Sequence, residues 1–358
     1  MLILMFCLLL AAKSYSFPSV FIDDEKIEIW KGKMEHFNLK EKCIKQSENY
    51  LNRMPNPIKK IDSKGRLRGD PIKEKTLEAL EDMKIIENLY LSYLLSNDIS
   101  YRNKIAEFVI AWINVLKSDG DPINDTKIEP LLYAIDMIKK ELSFDMKNKV
   151  DGFLLQIIKK NFESFINAPK NQISHNFHSH RLKIIGMCAF LVENEFFIDW
   201  AKIELKNQLD RLIDDHGKTV DFVKRNALHY HCYTLEPLLK LNSIFYIKDK
   251  NFSIENYQFK LQKSIAFLSP YLKREIIHHE FEGTKVPFDL LRSANKEPHF
   301  IIGVPFDPKQ GLDVLFLASC FENELQHILN SLLEVEDLLS INAIYFLSSG
   351  PNLKGLVA

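Results

Sequence analysis

Glycine is scarce in this chain, with 12 in 358 residues. A protein built of strands and tight turns needs more of it. Leu, Ile, Lys and Glu dominate instead, so a helical protein is expected. Gly-x-Ser-x-Gly is absent, as are the alternating strands that would hold such an elbow, and this argues against a hydrolase with a serine nucleophile. His-Glu-x-x-His is absent too. There is no Cys-x-x-Cys. Once Cys7 leaves with a leader, Cys43, Cys188, Cys232 and Cys320 remain at irregular spacings, so disulfides and buried thiols both stay open. Excess charge of one sign is missing, with 47 basic and 48 acidic residues. A nucleic-acid partner is therefore not expected, and a polyanion could be held only by a local basic patch.

Only one long apolar run is present, Leu2 to Ala12. It is short for a membrane span, and small residues, Ser14 and Ser16, follow it. Residues 1–16 read as a secretory signal peptide and 17–358 as one domain. The mature chain is expected to be soluble, monomeric and free of the membrane, in a periplasm or outside the cell. Asn124-Asp-Thr and Asn251-Phe-Ser are glycosylation sequons only in a eukaryotic host.

A charged amphipathic stretch from Asp24 to Tyr50 predicts a first helix. Residues 52–71 follow, punctuated by Pro and Gly and carrying Lys59, Lys60, Lys64, Arg66 and Arg68. This is a long basic loop, and such loops often act as lids. Helical periodicity then predicts segments near 72–95, 101–117, 125–142, 145–166, 178–192, 195–212, 222–243, 254–268, 309–319, 321–333 and 335–346. About a dozen helices on short loops suggest hairpins repeated around a centre. No residue-level repeat supports a solenoid.

Two stretches concentrate polar chemistry: Ser174 to Arg181, Ser-His-Asn-Phe-His-Ser-His-Arg, and Arg225 to Tyr233, Arg-Asn-Ala-Leu-His-Tyr-His-Cys-Tyr. The pairs His178/His180 and His229/His231 are two residues apart, which on a helix sends the rings to different faces, so a metal is not expected. Neither stretch supplies the facing carboxylates of a glycosidase. Tyr, His, Asn and Arg together suit β-elimination on a uronic acid polymer. Hydrogen bonds from Asn, His or Arg neutralise the carboxylate as the C5 proton leaves. A Tyr takes that proton or gives one to the departing O4.

At these residues the chain resembles the mannuronate-specific alginate lyases of polysaccharide lyase family five. The likeness is carried by Asn176-x-His178-Ser, Phe197-Ile-Asp-Trp200 and Asn226-Ala-Leu-His-Tyr-His-x-Tyr233-x-Leu-x-Pro-Leu. Ala111-Trp112 with Asp119-Gly-Asp-Pro-Ile-Asn-Asp, Thr284-Lys-Val-Pro-Phe-Asp-x-x-Arg292 with Gly303-Val-Pro-Phe-Asp-Pro308, and Ser63-Lys-Gly-Arg-Leu-Arg-Gly-Asp70 extend it. The resemblance implies an all-α, incomplete α/α toroid (α/α barrel) that cleaves a 1,4-linked uronate polymer, mannuronate-rich alginate, by β-elimination without a cofactor. It implies Tyr233 as acid and base, His178 as its partner, and Asn176 and Arg225 as carboxylate neutralisers. Lys64, Arg66, Arg68, Trp112, Tyr230, His231 and Arg292 are then candidates to hold the polymer. For Trp112, Tyr230 and His231 a core position stays open. An ion pair with Asp289 stays open for Arg292.

The sequence departs from the family pattern at two positions. Phe177 stands where a second neutralising Asn is expected, and Asn226 stands where an Arg is, with Arg225 one residue earlier. Gly65 leaves the lid without the family's aromatic. The alternatives are a lyase for another uronan such as polyglucuronate, or a catalytically weak protein that binds an acidic polysaccharide.

Overall fold

The computed structural model describes residues 19–169, 175–249, 255–319 and 325–332, with Ile344 and Leu347. Among them there are helices and no strand; two isolated bridges, Ile213 with Thr219 and His279 with Pro305, are the only extended pairings. The helices form an incomplete α/α toroid. The signal peptide, Cys320, the Asn251 sequon and the segment expected at 335–346 lie outside the described residues, apart from Ile344 in the last.

The stretch Asp24 to Tyr50 is two helices, α1 (Asp24–His36) and α2 (Lys40–Glu48), because Asn38 takes a left-handed turn at φ 53° between them. Helix α3 (Pro71–Ser96) runs almost as predicted. The Asp70 side chain accepts from the Ile72 and Lys73 amides at its start, and left-handed Asn97 closes it. Helix α4 (Ile99–Val115) packs back on α3. A short α5 (Pro122–Asp125), a 3-10 turn at Thr126–Ile128 and α6 (Glu129–Ile138) replace the single helix expected over 125–142. Gly120 sets that turn. Its φ is +80°, and a Cβ there would lie 2.4 Å from the Lys160 carbonyl oxygen.

Helices α7 (Phe144–Ile166), α8 (Asn176–Leu191), α9 (Glu195–Leu212), α10 (Val220–Arg225) and α11 (Leu228–Lys248) follow, then α12 (Glu255–Leu272), α13 (Pro287–Ala294), α14 (Leu312–Ala318) and α15 (Leu325–Leu332). Helix α8 packs on α7, α9 and α11, and α11 also packs on α14. These two helices are buried along almost their whole length and on every face. Charges on them must therefore be paired. Lys183 on α8 donates to Glu129 at 2.6 Å and Glu236 at 3.0 Å, and Lys240 lies 3.6 Å from Glu129. Cys43, Cys188 and Cys232 are buried free thiols, which settles the open reading for those three.

Candidate active site

The helix expected over 222–243 is broken at Asn226. This residue adopts the left-handed conformation at φ 50° and ends α10, so Arg225 and Tyr233 belong to different helices. Helix α11 starts at Leu228 without a side-chain cap of its own. Glu280, from the loop after α12, supplies one: its carboxylate accepts from the Leu228 amide at 2.9 Å and the His229 amide at 3.3 Å. The negative group sits where the helix dipole favours it. Burial nevertheless pushes its pKa up to about 7, against those two bonds. This clamp fixes the first turns of α11, which carry His229, Tyr230 and Tyr233.

Tyr233 is half-buried, and its hydroxyl has no hydrogen-bond partner among the described residues. Its ring lies 4.1 Å, centre to centre, from the His180 ring on α8. The His229 ring is parallel to it at 6.3 Å, and the Tyr230 ring meets it edge-on at 6.1 Å. Pro237, four residues along, lacks the amide that would bond the Tyr233 carbonyl within the helix. His180 Nε2 is buried and has no hydrogen-bond partner among the described residues. The other His180 nitrogen, Nδ1, lies 3.3 Å from the Thr126 hydroxyl.

Both imidazoles beside Tyr233 are neutral near pH 7. Burial pushes His180 well below its ordinary value, helped by the Lys183 and Lys127 ammonium groups. Burial brings His229 down to about 4, against its 3.0 Å contact with Gln310. Burial pushes the Tyr233 phenol up, with Tyr230 and Glu236 adding to the rise and Arg292 opposing it. Arg292 donates to the Tyr230 hydroxyl at 2.9 Å and lies 4.0 Å from the centre of the Phe300 ring. The basic loop borders the same cluster. Lys64 and Ser63 donate their amides to Asn124 at 3.2 Å, and the Lys64 ammonium sits 4.3 Å from the centre of the Phe177 ring. Arg68 donates its amide to Glu297 at 2.6 Å. A phenol with a free hydroxyl, two neutral imidazoles and nearby cations can move a proton at an anionic ligand.

A family model described as alginate lyase matches residues 33–278. The chain belongs to the alginate lyase family. As a member of that family it is a polysaccharide lyase. Solved structures agree on the fold. An alginate lyase from Bacteroides ovatus superposes with a TM-score of 0.66 at 14% identity, over 93% of this chain and 99% of that one. Alginate lyase A1-III from Sphingomonas species A1 gives 0.50 at 14% identity, over 73% of this chain and 84% of that one. A histidine-to-alanine variant of A1-III complexed with a tetrasaccharide gives 0.53 at 13%, over 84% and 96%. No curated protein sequence matches.

Within this alginate lyase fold the expected residues divide. Tyr233, Tyr230 and Arg292 gather in one cluster, and Lys64 lies on Asn124, Asp121 and Phe177. His178 does not face it. Two residues from His180 on a wholly buried helix, it turns to the other side, stacks on Phe165 at 4.4 Å and lies 3.3 Å from Glu204. The ring beside Tyr233 is His180, which corrects the expected pairing. Asn176 is buried, with its amide at 2.6 Å and its Nδ2 at 3.0 Å from Asp221. Arg225 is held by Asp289 and stacks on Tyr230 at 4.0 Å, so Asp289 pairs with it and not with Arg292. Both expected neutralisers are committed to protein carboxylates. Trp112 is fully buried and donates to Asp82 at 2.7 Å, so it is core and cannot stack on a sugar. His231 is also core, between Thr219 and the Ser264 carbonyl. Arg66 is spent within the lid on Asp62 and Asp70. The Arg68 side chain is exposed. Asn124 is buried under the lid, so its sequon is closed in the folded chain. Among the described residues, no three His, Cys, Asp or Glu side chains are grouped as a metal would need.

His180 and His229, the imidazoles beside Tyr233, were not among the expected site residues.

Proposed function

We propose that the chain cleaves mannuronate-rich alginate by β-elimination, with Tyr233 carrying both proton transfers. The Tyr233 phenolate takes the C5 proton, the C4–O4 bond breaks and C4 and C5 become doubly bonded. The phenol then returns the proton to O4, and no cofactor or metal takes part. The observation that supports this most is the Tyr233 hydroxyl: half-buried, without a protein partner, and set among neutral imidazoles beside Arg292. His180 is a positioning residue that packs on the tyrosine. Lys64 and Arg68 hold the polyanion from the lid, and Tyr230 with Arg292 frames the sugar. No helix among the described residues is long and apolar enough to cross a membrane. Export and a monomeric state complete the proposal.

A second reading is a weak enzyme that mainly binds an acidic polysaccharide. It draws on the commitment of Asn176 to Asp221 and of Arg225 to Asp289. One assay separates the readings. The protein is mixed with polymannuronate, polyguluronate and polyglucuronate, and the ultraviolet absorbance of the new conjugated double bond is followed. A rise on polymannuronate supports the proposal. A rise on polyglucuronate alone moves the substrate to that polymer. Binding without a rise on any of them favours the second reading.

A further inference from the structure

Elimination beside a uronate carboxylate requires that the negative charge be neutralised as the C5 proton leaves. Asn176 and Arg225 are committed to Asp221 and Asp289, and Phe177 has no donor. Lys127 answers the need. It lies on the 3-10 turn Thr126–Ile128, which packs on α3 and α8. The preceding residue, Thr126, touches His180, whose ring covers Tyr233. Lys127 is half-buried, and among the described residues its ammonium has no hydrogen bond and no carboxylate partner. The charged groups acting on it are cations, Lys73 and Arg292, and it acts in turn on His180. Lys73 and Arg292 share one carboxylate, Glu297, at 3.3 and 3.8 Å. A half-buried cation facing other cations without a counter-ion is unfavourable unless an anion completes the site. Burial, Lys73 and Arg292 push its pKa down.

We propose that Lys127 contacts the carboxylate of the uronate whose C5 proton is removed, and neutralises it in the transition state. This rests on the lyase reading above. Full-length Lys127→Met, Lys127→Gln and Lys127→Arg are compared with wild type on polymannuronate. Lys127→Met and Lys127→Gln are expected to lose about 10²-fold or more in kcat with KM raised by no more than about tenfold, and Lys127→Arg to recover most of that loss. With the polymer carboxylates methyl-esterified, the gap between wild type and Lys127→Met should close. A Lys127→Met or Lys127→Gln enzyme with wild-type kcat overturns the proposal, as does an equal loss on the ester. If wild type eliminates on none of the polymers, the lyase reading has failed, and binding of a mannuronate tetrasaccharide decides the residue. Affinity weakened about tenfold by Lys127→Met supports an anion contact, and unchanged affinity overturns it.

Discussion

Two histidines on α8, two residues apart, lie in opposite surroundings. His178 faces α7 and α9, where every partner is already supplied: Glu204, Arg181 and the Phe165 ring. His180 faces α11, where the Tyr233 hydroxyl has no partner among the described residues, and Thr126 on the 3-10 turn touches His180 and carries Lys127 beside it. On the first face both His178 ring nitrogens are taken up by protein groups. The second presents a phenol and a cation of a kind that an anionic ligand could meet. The comparison teaches that a polar motif on a buried helix is divided by helical rotation, and only the half with unsatisfied chemistry can meet substrate.

The sharpest way to break this contrast is Tyr233→Phe. Turnover should fall by about 10³-fold while a mannuronate oligomer still binds nearly as well, measured by calorimetry. A variant with full rate removes the phenol from the mechanism. Next in size is the pH profile. Burial holds the phenol protonated in the free protein. If the phenolate is the base, kcat/KM should rise about tenfold per pH unit above neutrality until cations on the site begin to lose their protons. A profile that is flat across neutrality, its rise already complete above about pH 4, would give the base role to His229.

The His178 face predicts stability and not rate. Burial alone would raise the Glu204 carboxyl, but bonds from His178, Asn207, Gln208 and Arg211 hold it down at about 2. Its folded value lies below the unfolded one, so its contribution is present above the unfolded pKa of about 4.3. That contribution is lost as pH falls from there through about 2. Glu204→Gln should therefore flatten the acid side of the stability curve, followed by denaturant unfolding at several pH values. An unchanged slope would mean that the pairing contributes nothing. The smallest effect is expected from the lid. Lys64→Ala removes the contact with Phe177 and an ion pair with Asp121 at 2.6 Å, both near the surface. KM should rise roughly threefold with kcat unchanged.

Much of the fold was legible because local signals and tertiary need agreed. Asp70-Pro71 starts α3 and Asn97 stops it, as their chemistry dictates. The break at Asn226 was read through because an Asn inside an apolar run looks like any polar helical residue until its φ is known. The site was legible as two polar stretches but not in its facing. With α8 buried on all sides, there is no apolar stripe to fix its rotation, so His178 and His180 were indistinguishable. For Trp112 the apolar helical face pointed to core with a sugar platform as the alternative, and its full burial and bond to Asp82 show it to be core. Lys127 had no signal at all, because the missing counter-ion is a property of the assembled neighbourhood.

The most direct test of the account sets the two faces of α8 against each other. His178→Ala and His180→Ala are purified, their folded fractions are measured, and kcat on polymannuronate is read from the absorbance of the unsaturated product. The account predicts that His180→Ala loses about 10²-fold by letting Tyr233 shift, while the folded His178→Ala protein keeps kcat and loses about 2 kcal/mol of stability. The reverse result, a dead His178→Ala enzyme beside a fully active His180→Ala enzyme, would contradict it.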